Sequence, residues 1–153
     1  MVNVIWIVED LELIRLEVGQ VFKDAFGDAT VLLFGSGYDV IEQRGVPPDV
    51  IILDLGLPDM DGLQVLLALR YRYQEAKILI YTIYEDSQHL FEALKFGANG
   101  YLLKGILHDQ LVESILEIMN GGAPMSRSIA KKVFDSFHRN ESEINNLTNK
   151  EIQ

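Results

Sequence analysis

Residues Val50–Gly62 read VIILDLGLPDMDG, and this stretch decides the fold. Its first four residues are all apolar, which is typical of a strand that is buried on both faces of a parallel sheet. Asp54 follows the strand directly, and Gly56 and Pro58 then indicate a turn. A carboxylate at such a junction is costly to bury unless it is paired or binds a metal ion. The stretch therefore predicts a central parallel strand with a functional aspartate at its carboxyl end.

Three other apolar runs end in the same way. Glu9 and Asp10 follow VNVIWIV, Thr82 follows KILIY, and Lys104 follows GYLL. Because open α/β sheets bind ligands just beyond the carboxyl ends of their strands, we expect these side chains to meet Asp54 at one edge of a sheet. Three carboxylates, a hydroxyl and an ammonium group can together bind a divalent cation and a phosphoryl group.

The rest of the sequence alternates between strand-like and helix-like patterns. The five apolar runs that we predict as strands are Val2–Val8, Thr30–Phe34, Val50–Leu53, Ile78–Tyr81 and Tyr101–Leu103. Apolar residues at helical spacing follow each run, and Ser36 is a candidate N-cap for the second helix. Since right-handed crossovers place helices on both faces of a parallel sheet, we predict a doubly wound α/β domain of five βα units.

Composition excludes several kinds of protein. The chain has 153 residues, a formal net charge of -10 and no cysteine, so disulfides and thiolate metal sites are excluded. A phosphate backbone is bound mainly by Lys and Arg, and this acidic chain is therefore predicted to bind nucleic acid poorly by itself. No apolar stretch is long enough to span a bilayer and no signal peptide is evident, so we expect a cytoplasmic protein without a membrane partner.

The predicted acidic cluster needs positive charge. Two carboxylates about 4 Å apart repel by about 1 kcal/mol in water and by about 4 kcal/mol at an effective dielectric constant near 20. A few hard oxygen ligands with open positions for water and phosphate suit Mg²⁺. Taken singly, Glu9 and Asp10 fit a helix start, Thr82 an ordinary strand residue and Lys104 a solvated lysine equally well. The functional interpretation rests on the four matches in order.

A calcium loop is a second interpretation of the acidic residues near the turn, because Asp59-x-Asp61-Gly62 resembles part of an EF-hand. Alignment of Gly62 with the sixth loop position places Leu57 first and Ala68 twelfth, where acidic ligands are required. The pattern therefore fails as a calcium site. We interpret Asp59 and Asp61 as turn and helix-start residues.

The composition changes after Gly122. A helical pattern with a narrow apolar stripe comes first, a polar run without periodicity then reaches Asn146, and Thr148-x-x-Glu151 is a capping-box pattern that begins a new helix. We therefore predict a main domain, a linker that contains a helix and the beginning of a further domain of a longer protein, over residues 1–122, 123–146 and 147–153. The main domain is expected to fold without the residues after Gly122.

The motifs VED, LDLGLPDMDG, YT and YLLKG, in this order, resemble the receiver domain of bacterial response regulators, and the likeness covers Val2–Asn120. The resemblance implies a flavodoxin-like fold with strand order 2-1-3-4-5. It also implies that Asp54 is the phosphoacceptor and that Glu9 and Asp10 hold Mg²⁺ together with Asp54 and the backbone carbonyl of Gly56. Glu9 stands where aspartate is more usual, which lengthens one arm of that metal site.

The same resemblance implies a switch. Thr82 corresponds to the family's switch hydroxyl, Lys104 to the lysine that pairs with the phosphoryl group, and Tyr101 to the switch aromatic that turns inward. Many receivers have proline after this lysine, whereas this chain has Gly105, so a cis peptide bond is not implied. A protein of this kind is a signalling switch that assists only its own phosphorylation and dephosphorylation.

The tail GGAPMSRSIAKKVFDSF followed by LTNKE resembles the linker of NarL/FixJ-type regulators, in which a similar motif opens a LuxR-type helix-turn-helix domain. This resemblance implies a two-component system with a sensor histidine kinase as phosphoryl donor and a homodimer as a possible phosphorylated form. It implies that DNA is bound only through a domain beyond Gln153.

Two alternatives remain open from the sequence. A Mg²⁺-dependent phosphohydrolase of the haloacid dehalogenase type also has a nucleophilic aspartate, but it requires Asp-x-Asp after its first strand and a cap over the substrate. A pseudo-receiver that acts as an unphosphorylated interaction module would have lost Asp54, Lys104 or the acidic pair, and this sequence retains them all.

Overall fold

The structure is a computed structural model that describes residues 1–152, with the backbone alone for 140–144 and 148–152; Gln153 lies outside the described residues. Strands and helices alternate up to the fifth helix, and a sixth helix follows. The elements are β1 Val4–Val8, α1 Glu12–Ala25, β2 Thr30–Phe34, α2 Gly37–Glu42, β3 Val50–Leu53, α3 Gly62–Arg72, β4 Lys77–Thr82, α4 Ser87–Lys95, β5 Gly100–Leu103, α5 His108–Met119 and α6 Arg127–Ile152.

The five strands form one parallel sheet in the order β2-β1-β3-β4-β5. This is the doubly wound, flavodoxin-like architecture and strand order that the sequence predicts, although β1 begins two residues later than expected. In the sheet register Val8 is opposite Leu53, and Leu53 is opposite Ile80. The residues that follow these strands are therefore brought to the same edge of the sheet.

The central strand β3 is buried along its whole length, as its four apolar residues predict. Its side chains alternate between two cores, with Ile51 and Leu53 on one face of the sheet and Val50 and Ile52 on the other. A layer of helices therefore has to cover each face. Because each apolar side chain removed from water stabilises the fold by about 1.5–3 kcal/mol, this strand fixes the middle of the domain firmly.

Acidic and hydroxyl side chains fix the helix starts next to this strand. Ser36 caps α2 and Asp61 caps α3, each by accepting a hydrogen bond from a backbone N–H of the first turn. Asp59 accepts from the backbone N–H groups of Gly37 (2.9 Å) and Tyr38 (2.8 Å), and these bonds lower its pKa. The interpretation of Asp59 and Asp61 as turn and helix-start residues agrees with these contacts.

The segment after α5 extends the sheet at its β5 edge. The backbone N–H of Tyr101 donates to the carbonyl of Pro124 (2.9 Å), and the N–H of Ser126 donates to the carbonyl of Tyr101 (3.2 Å). Ser126 Oγ accepts from the backbone N–H of Leu103 at 2.8 Å. The edge of a sheet otherwise presents unpaired donors and acceptors, so this segment satisfies groups that β5 leaves free.

These contacts bear on the expected end of the main domain at Gly122, which stays a prediction. Ile129, in the first turn of α6, is fully buried in the core that contains Ile51 and Leu53. Residues 124–129 therefore complete the hydrophobic core, and a chain cut after Gly122 is expected to lose stability. The first residue of the narrow apolar stripe predicted for this segment is Ile129, and it packs inside the domain.

The helix after this segment is also longer than predicted. Residues 138–146, expected to be a polar linker, are helical, and α6 passes through Thr148 without the predicted new start. The sequence between Arg127 and Ile152 contains no Gly or Pro, so nothing in it ends a helix once the first turn is anchored. In the part of the chain that the structure describes, no helix has both the length and the apolar character needed to cross a bilayer.

Replacement of Ile129 by alanine tests whether α6 belongs to the core. Ile129→Ala should lower the free energy of unfolding by about 2–5 kcal/mol, because it leaves a cavity beneath the sheet edge. Urea unfolding of the full 153-residue chain measures the change. Phe134→Ala is the matched control, since Phe134 lies exposed on the same helix and should change stability little. Equal stability of the two variants would show that α6 does not complete the core.

Candidate functional site

The carboxyl edge of the sheet brings together the side chains that the sequence selects. Glu9 follows β1, Asp54 follows β3, Thr82 ends β4 and Lys104 follows β5. Glu9, Asp54 and Thr82 are buried, whereas Lys104 is partly exposed. Buried polar groups at the same end of three strands are the unusual feature of this edge, because the other buried strand residues carry no side-chain oxygen except the Tyr101 hydroxyl.

Three carboxylates form a compact cluster at this edge. Glu9, Asp10 and Asp54 each offer a carboxylate oxygen, and these oxygens all lie within 4.8 Å of one another. Asp10 is the most accessible of the three. Hard oxygen donors at this spacing, open to solvent on the Asp10 side, fit a Mg²⁺ ion that keeps several waters.

Lys104 supplies the positive charge in this cluster. Its ammonium group lies 2.7 Å from Asp54 Oδ2 and also forms an ion pair with Glu9. Its backbone N–H donates to the carbonyl of Thr82 at 2.9 Å, which fixes the start of the loop after β5. Burial alone would lower the pKa of Lys104, but the bonds to Asp54 and Glu9 raise it above its ordinary value. Lys104 is therefore a charged partner of both carboxylates rather than a solvated lysine.

The protonation of Glu9 responds to this environment. Burial raises the pKa of Glu9 to about 7, and the neighbouring Asp54 adds to this effect while the bond to Lys104 opposes it. A carboxylic acid with this pKa loses its proton readily at neutral pH when a cation approaches.

Asp54 is held rigidly from two sides. Its Oδ1 accepts the backbone N–H of Gly56 at 3.1 Å, and its Oδ2 accepts from Lys104. Its own backbone N–H donates to the carbonyl of Val8 at 3.0 Å, in continuation of the sheet ladder. Gly56 therefore lies beside the aspartate as the sequence predicts, and the metal-binding role of its carbonyl stays a prediction.

The predicted switch residues lie on one side of this cluster. Thr82 is fully buried, and its Oγ1 is 3.4 Å from the backbone nitrogen of Tyr84. Tyr101 is also fully buried, and its hydroxyl donates to the backbone carbonyl of Tyr84 at 2.7 Å. Burial raises the pKa of the Tyr101 phenol, so it stays a neutral donor. The ring of Tyr101 therefore already points inward in this structure.

Two residues near the site were not selected from the sequence. Arg15 Nη1 donates to the backbone carbonyls of Glu9 (2.8 Å) and Asp10 (3.3 Å), and so fixes the chain that carries the acidic pair. Tyr84 packs next to Gly56. A basic residue about one turn after an acidic pair is a weak signal for Arg15, and no sequence pattern marks Tyr84.

Comparison with known proteins identifies relatives for most of the chain. The family model described as response regulator receiver domain matches residues 5–116. The chain is 31% identical over 110 residues to the transcriptional regulatory protein DegU of Brevibacillus brevis, which covers 69% of this chain and 47% of DegU. It is 33% identical over 155 residues to the nitrate/nitrite response regulator protein NarP of Escherichia coli K12, which covers 97% of this chain and 70% of NarP. The chain thus spans about half the length of DegU.

Solved structures show the same likeness. The crystal structure of a two-component response regulator of the LuxR family from Aurantimonas sp. SI85-9A1 matches with a TM-score of 0.80 at 27% sequence identity. The match covers 89% of this chain and 98% of that one, so it includes more than the five βα units.

A divalent cation should bind at the acidic cluster and depend on Asp10. Asp10→Asn is expected to weaken Mg²⁺ binding by roughly tenfold, or about 1.4 kcal/mol, because it removes the most accessible of three converging charges. Isothermal titration measures the affinity. Asp28→Asn changes the net charge equally at an exposed position and should bind Mg²⁺ like the unaltered chain. The same affinity in both variants would remove Asp10 from the site.

Cation binding should also depend on pH through Glu9. Because the pKa of Glu9 is raised to about 7, the folded chain carries a proton there below that pH, and this proton must leave before the carboxylate binds a cation. The affinity for Mg²⁺ should therefore rise between about pH 6 and pH 8. Titration of Glu9→Gln, whose amide does not ionise, should show a flatter pH profile in this range. An equally steep profile would show that another group titrates.

Proposed function

The chain belongs to the response regulator receiver domain family, and we propose that Asp54 is its phosphoacceptor. The observation that supports this assignment is the pairing of a buried aspartate at the end of β3 with the ammonium group of Lys104 at 2.7 Å. A nucleophilic carboxylate next to a fixed positive charge can accept a phosphoryl group and stabilise its added charge.

The phosphoryl donor that we propose is the phosphohistidine of a sensor histidine kinase. An oxygen of Asp54 bonds to phosphorus while the bond from phosphorus to the donor nitrogen breaks, and the electron pair of that bond stays on the imidazole. Asp54 is kept in place for this reaction by the N–H of Gly56 and by Lys104. Mg²⁺ bound by Glu9, Asp10, Asp54 and the Gly56 carbonyl would supply positive charge that neutralises the transferred group.

The added phosphoryl group changes the balance of charge around Lys104. It carries a charge of about -1.5 to -2 and three acceptor oxygens. Lys104, which bridges Asp54 and Glu9 before phosphorylation, then pairs with a phosphoryl oxygen. The Thr82 hydroxyl is a further donor at this edge of the sheet, and its movement toward the phosphoryl group would draw the loop after β4 with it. Phosphorylation thus shifts the balance between two conformations of this loop, and it does not drive repeated turnover of a substrate.

Tyr101 offers a route from this loop to α6. Its hydroxyl bonds to Tyr84, and its backbone N–H and carbonyl bond to Pro124 and Ser126 directly before α6. The loop after β4 and the start of α6 also meet through Lys132, whose ammonium group donates to the carbonyl of Glu85. We expect a change at Thr82 to reach α6 through these contacts.

The output of the switch is proposed to be transcription. Relatives named as transcriptional and nitrate/nitrite response regulators, and the similar structure of a LuxR-family response regulator, support a DNA-binding domain of the LuxR type in the parent protein. The net charge of -10 supports DNA binding outside this chain. A cytoplasmic location and a homodimer as the phosphorylated form belong to the same proposal.

The two alternative functions have less support. A phosphohydrolase of the haloacid dehalogenase type would have its nucleophile after the first strand, whereas Asp54 follows β3. A pseudo-receiver has no use for three carboxylates, those of Glu9, Asp10 and Asp54, whose oxygens lie within 4.8 Å of one another and two of which form ion pairs with Lys104.

Phosphorylation is expected at Asp54 and at no other carboxylate near it. Incubation with acetyl phosphate and Mg²⁺ should add one phosphoryl group to the intact mass of the chain. Asp54→Asn should abolish this addition, because the amide oxygen is a poor nucleophile. Asp61→Asn is the control, since asparagine also caps a helix well and α3 should remain intact. A phosphoryl addition that survives in Asp54→Asn would refute the assignment.

A further inference from the structure

Arg15 lies beside the turn that carries two of the three carboxylates of the acidic cluster. Its Nη1 atom donates to the backbone carbonyl of Glu9 at 2.8 Å and to that of Asp10 at 3.3 Å. The carboxylates of these two residues meet the carboxylate of Asp54, with oxygens within 4.8 Å of one another. One guanidinium group therefore holds the backbone of both members of the acidic pair without using their carboxylates.

The turn that joins β1 to α1 has no side-chain cap to fix it. Leu11 occupies the N-cap position of α1 and makes no capping hydrogen bond, because its side chain has no oxygen. The backbone N–H of Glu9 donates to the carbonyl of Phe34 at 3.0 Å, which fixes the first residue of the turn to β2. Arg15, in the first turn of α1, therefore supplies a tie between the turn and the helix that the N-cap does not provide.

Gly35 leaves room for this guanidinium group. It follows β2 directly, and a Cβ atom at this position would lie 2.9 Å from Arg15 Nη1 and 3.5 Å from Arg15 Cζ. The guanidinium group thus lies against the backbone of Gly35, at a distance that leaves no room for a side chain. Arg15 is held between the turn after β1 and the residue after β2, and these two strands are neighbours in the sheet.

Arg15 has two effects on a cation at the acidic cluster, and they have opposite signs. Its bonds order the backbone from which Glu9 and Asp10 project, and outer contacts that orient metal ligands are typically worth about 10–100-fold in metal affinity. Its positive charge repels a cation. Loss of Arg15 weakens cation binding if the ordering effect is larger and tightens it if the repulsion is larger. The sign of the change therefore separates the two effects.

We propose that Arg15 is a positioning residue that sets the Mg²⁺ affinity of the acidic cluster by ordering the turn of Glu9 and Asp10, and that this effect exceeds the repulsion by its charge. The inference rests on the proposed function, in which Glu9 and Asp10 hold the Mg²⁺ that assists phosphorylation of Asp54. Arg15 takes no part in the transfer itself. It determines the concentration of Mg²⁺ at which the chain can be phosphorylated.

The first test is isothermal titration of the full 153-residue chain with Mg²⁺. Arg15→Met removes the charge and the donors from a side chain of similar length and should weaken binding about tenfold. Arg15→Lys keeps the charge and one donor group, so it should weaken binding less, by about threefold. Unchanged or tighter binding in Arg15→Met would overturn the inference, because it would show that the ordering effect is the smaller one.

Arg44→Met is the matched control for this titration. The Nη1 atom of Arg44 also donates to two backbone carbonyls, those of Ile41 (2.8 Å) and Gln43 (2.9 Å), but it does so between α2 and β3. The variant removes the same charge and the same kind of bond away from the cluster, and it should bind Mg²⁺ like the unaltered chain. An equal loss of affinity in Arg44→Met would overturn the inference.

Gly35→Ala tests the same contact without a change in Arg15, and it carries the test if Arg15→Met does not fold. The added methyl group should displace the guanidinium group and weaken Mg²⁺ binding by about threefold. In the Arg15→Met background, or in Arg15→Lys if the former is unfolded, the same methyl group should have a smaller effect. An equal loss of affinity with and without the arginine would contradict the inference.

Phosphorylation by acetyl phosphate over a range of Mg²⁺ concentrations separates positioning from general damage. In Arg15→Met the Mg²⁺ concentration at half the maximal rate should rise about tenfold, while the rate at saturating Mg²⁺ stays within about twofold. A lower rate at saturation with an unchanged requirement for Mg²⁺ would overturn the inference. If the unaltered chain binds Mg²⁺ but accepts no phosphoryl group, the proposed function fails, and the titrations still decide the role of Arg15.

Discussion

The sharing of one ammonium group by two buried carboxylates is the interaction on which the arrangement of the site depends. Lys104 pairs with Asp54 and Glu9, and these residues follow three different strands. An unpaired charge at such depth would cost several kcal/mol, so β1, β3 and β5 have to end at the same level. The register that places Val8 opposite Leu53 meets this demand. Asp54 directly follows β3, which is fully apolar and buried along its whole length.

With this pairing the site still has more acidic than basic groups, so it can bind further positive charge. Three carboxylates share one lysine, and burial, to which the neighbouring Asp54 adds, raises the pKa of Glu9. A proton, a divalent cation or a rearranged Lys104 can each relieve this imbalance. The Arg15 side chain fixes the backbone of Glu9 and the N–H of Gly56 fixes the Asp54 carboxylate, so a change in charge acts on Lys104 and on the neighbouring loop.

The sequence predicted the parts of the molecule that follow from burial and chain direction. The predicted bounds of the strand Val50–Leu53 are correct. A strand that is buried on both faces contains only apolar residues, so the apolar run coincides with the strand. The convergence of Glu9, Asp54 and Lys104 followed from parallel strand order. The role of residues 124–129 could not be predicted, since pairing at a sheet edge is a tertiary contact without a local pattern. Tyr84 was missed because its position depends on the space above Gly56, which only the folded chain defines.

The anchoring of α6 limits how a signal can leave the domain. Ile129 is fully buried, and Ser126 bonds to β5, so the first turn of α6 cannot separate from the sheet without opening the core. The whole helix of 26 residues is about 39 Å long at 1.5 Å per residue. A small tilt of α6 about its anchored end therefore displaces its far end by a distance proportional to this length. Release of the helix would also break the backbone bonds of Tyr101 to the residues just before α6. We therefore expect output by reorientation of α6 rather than by its detachment.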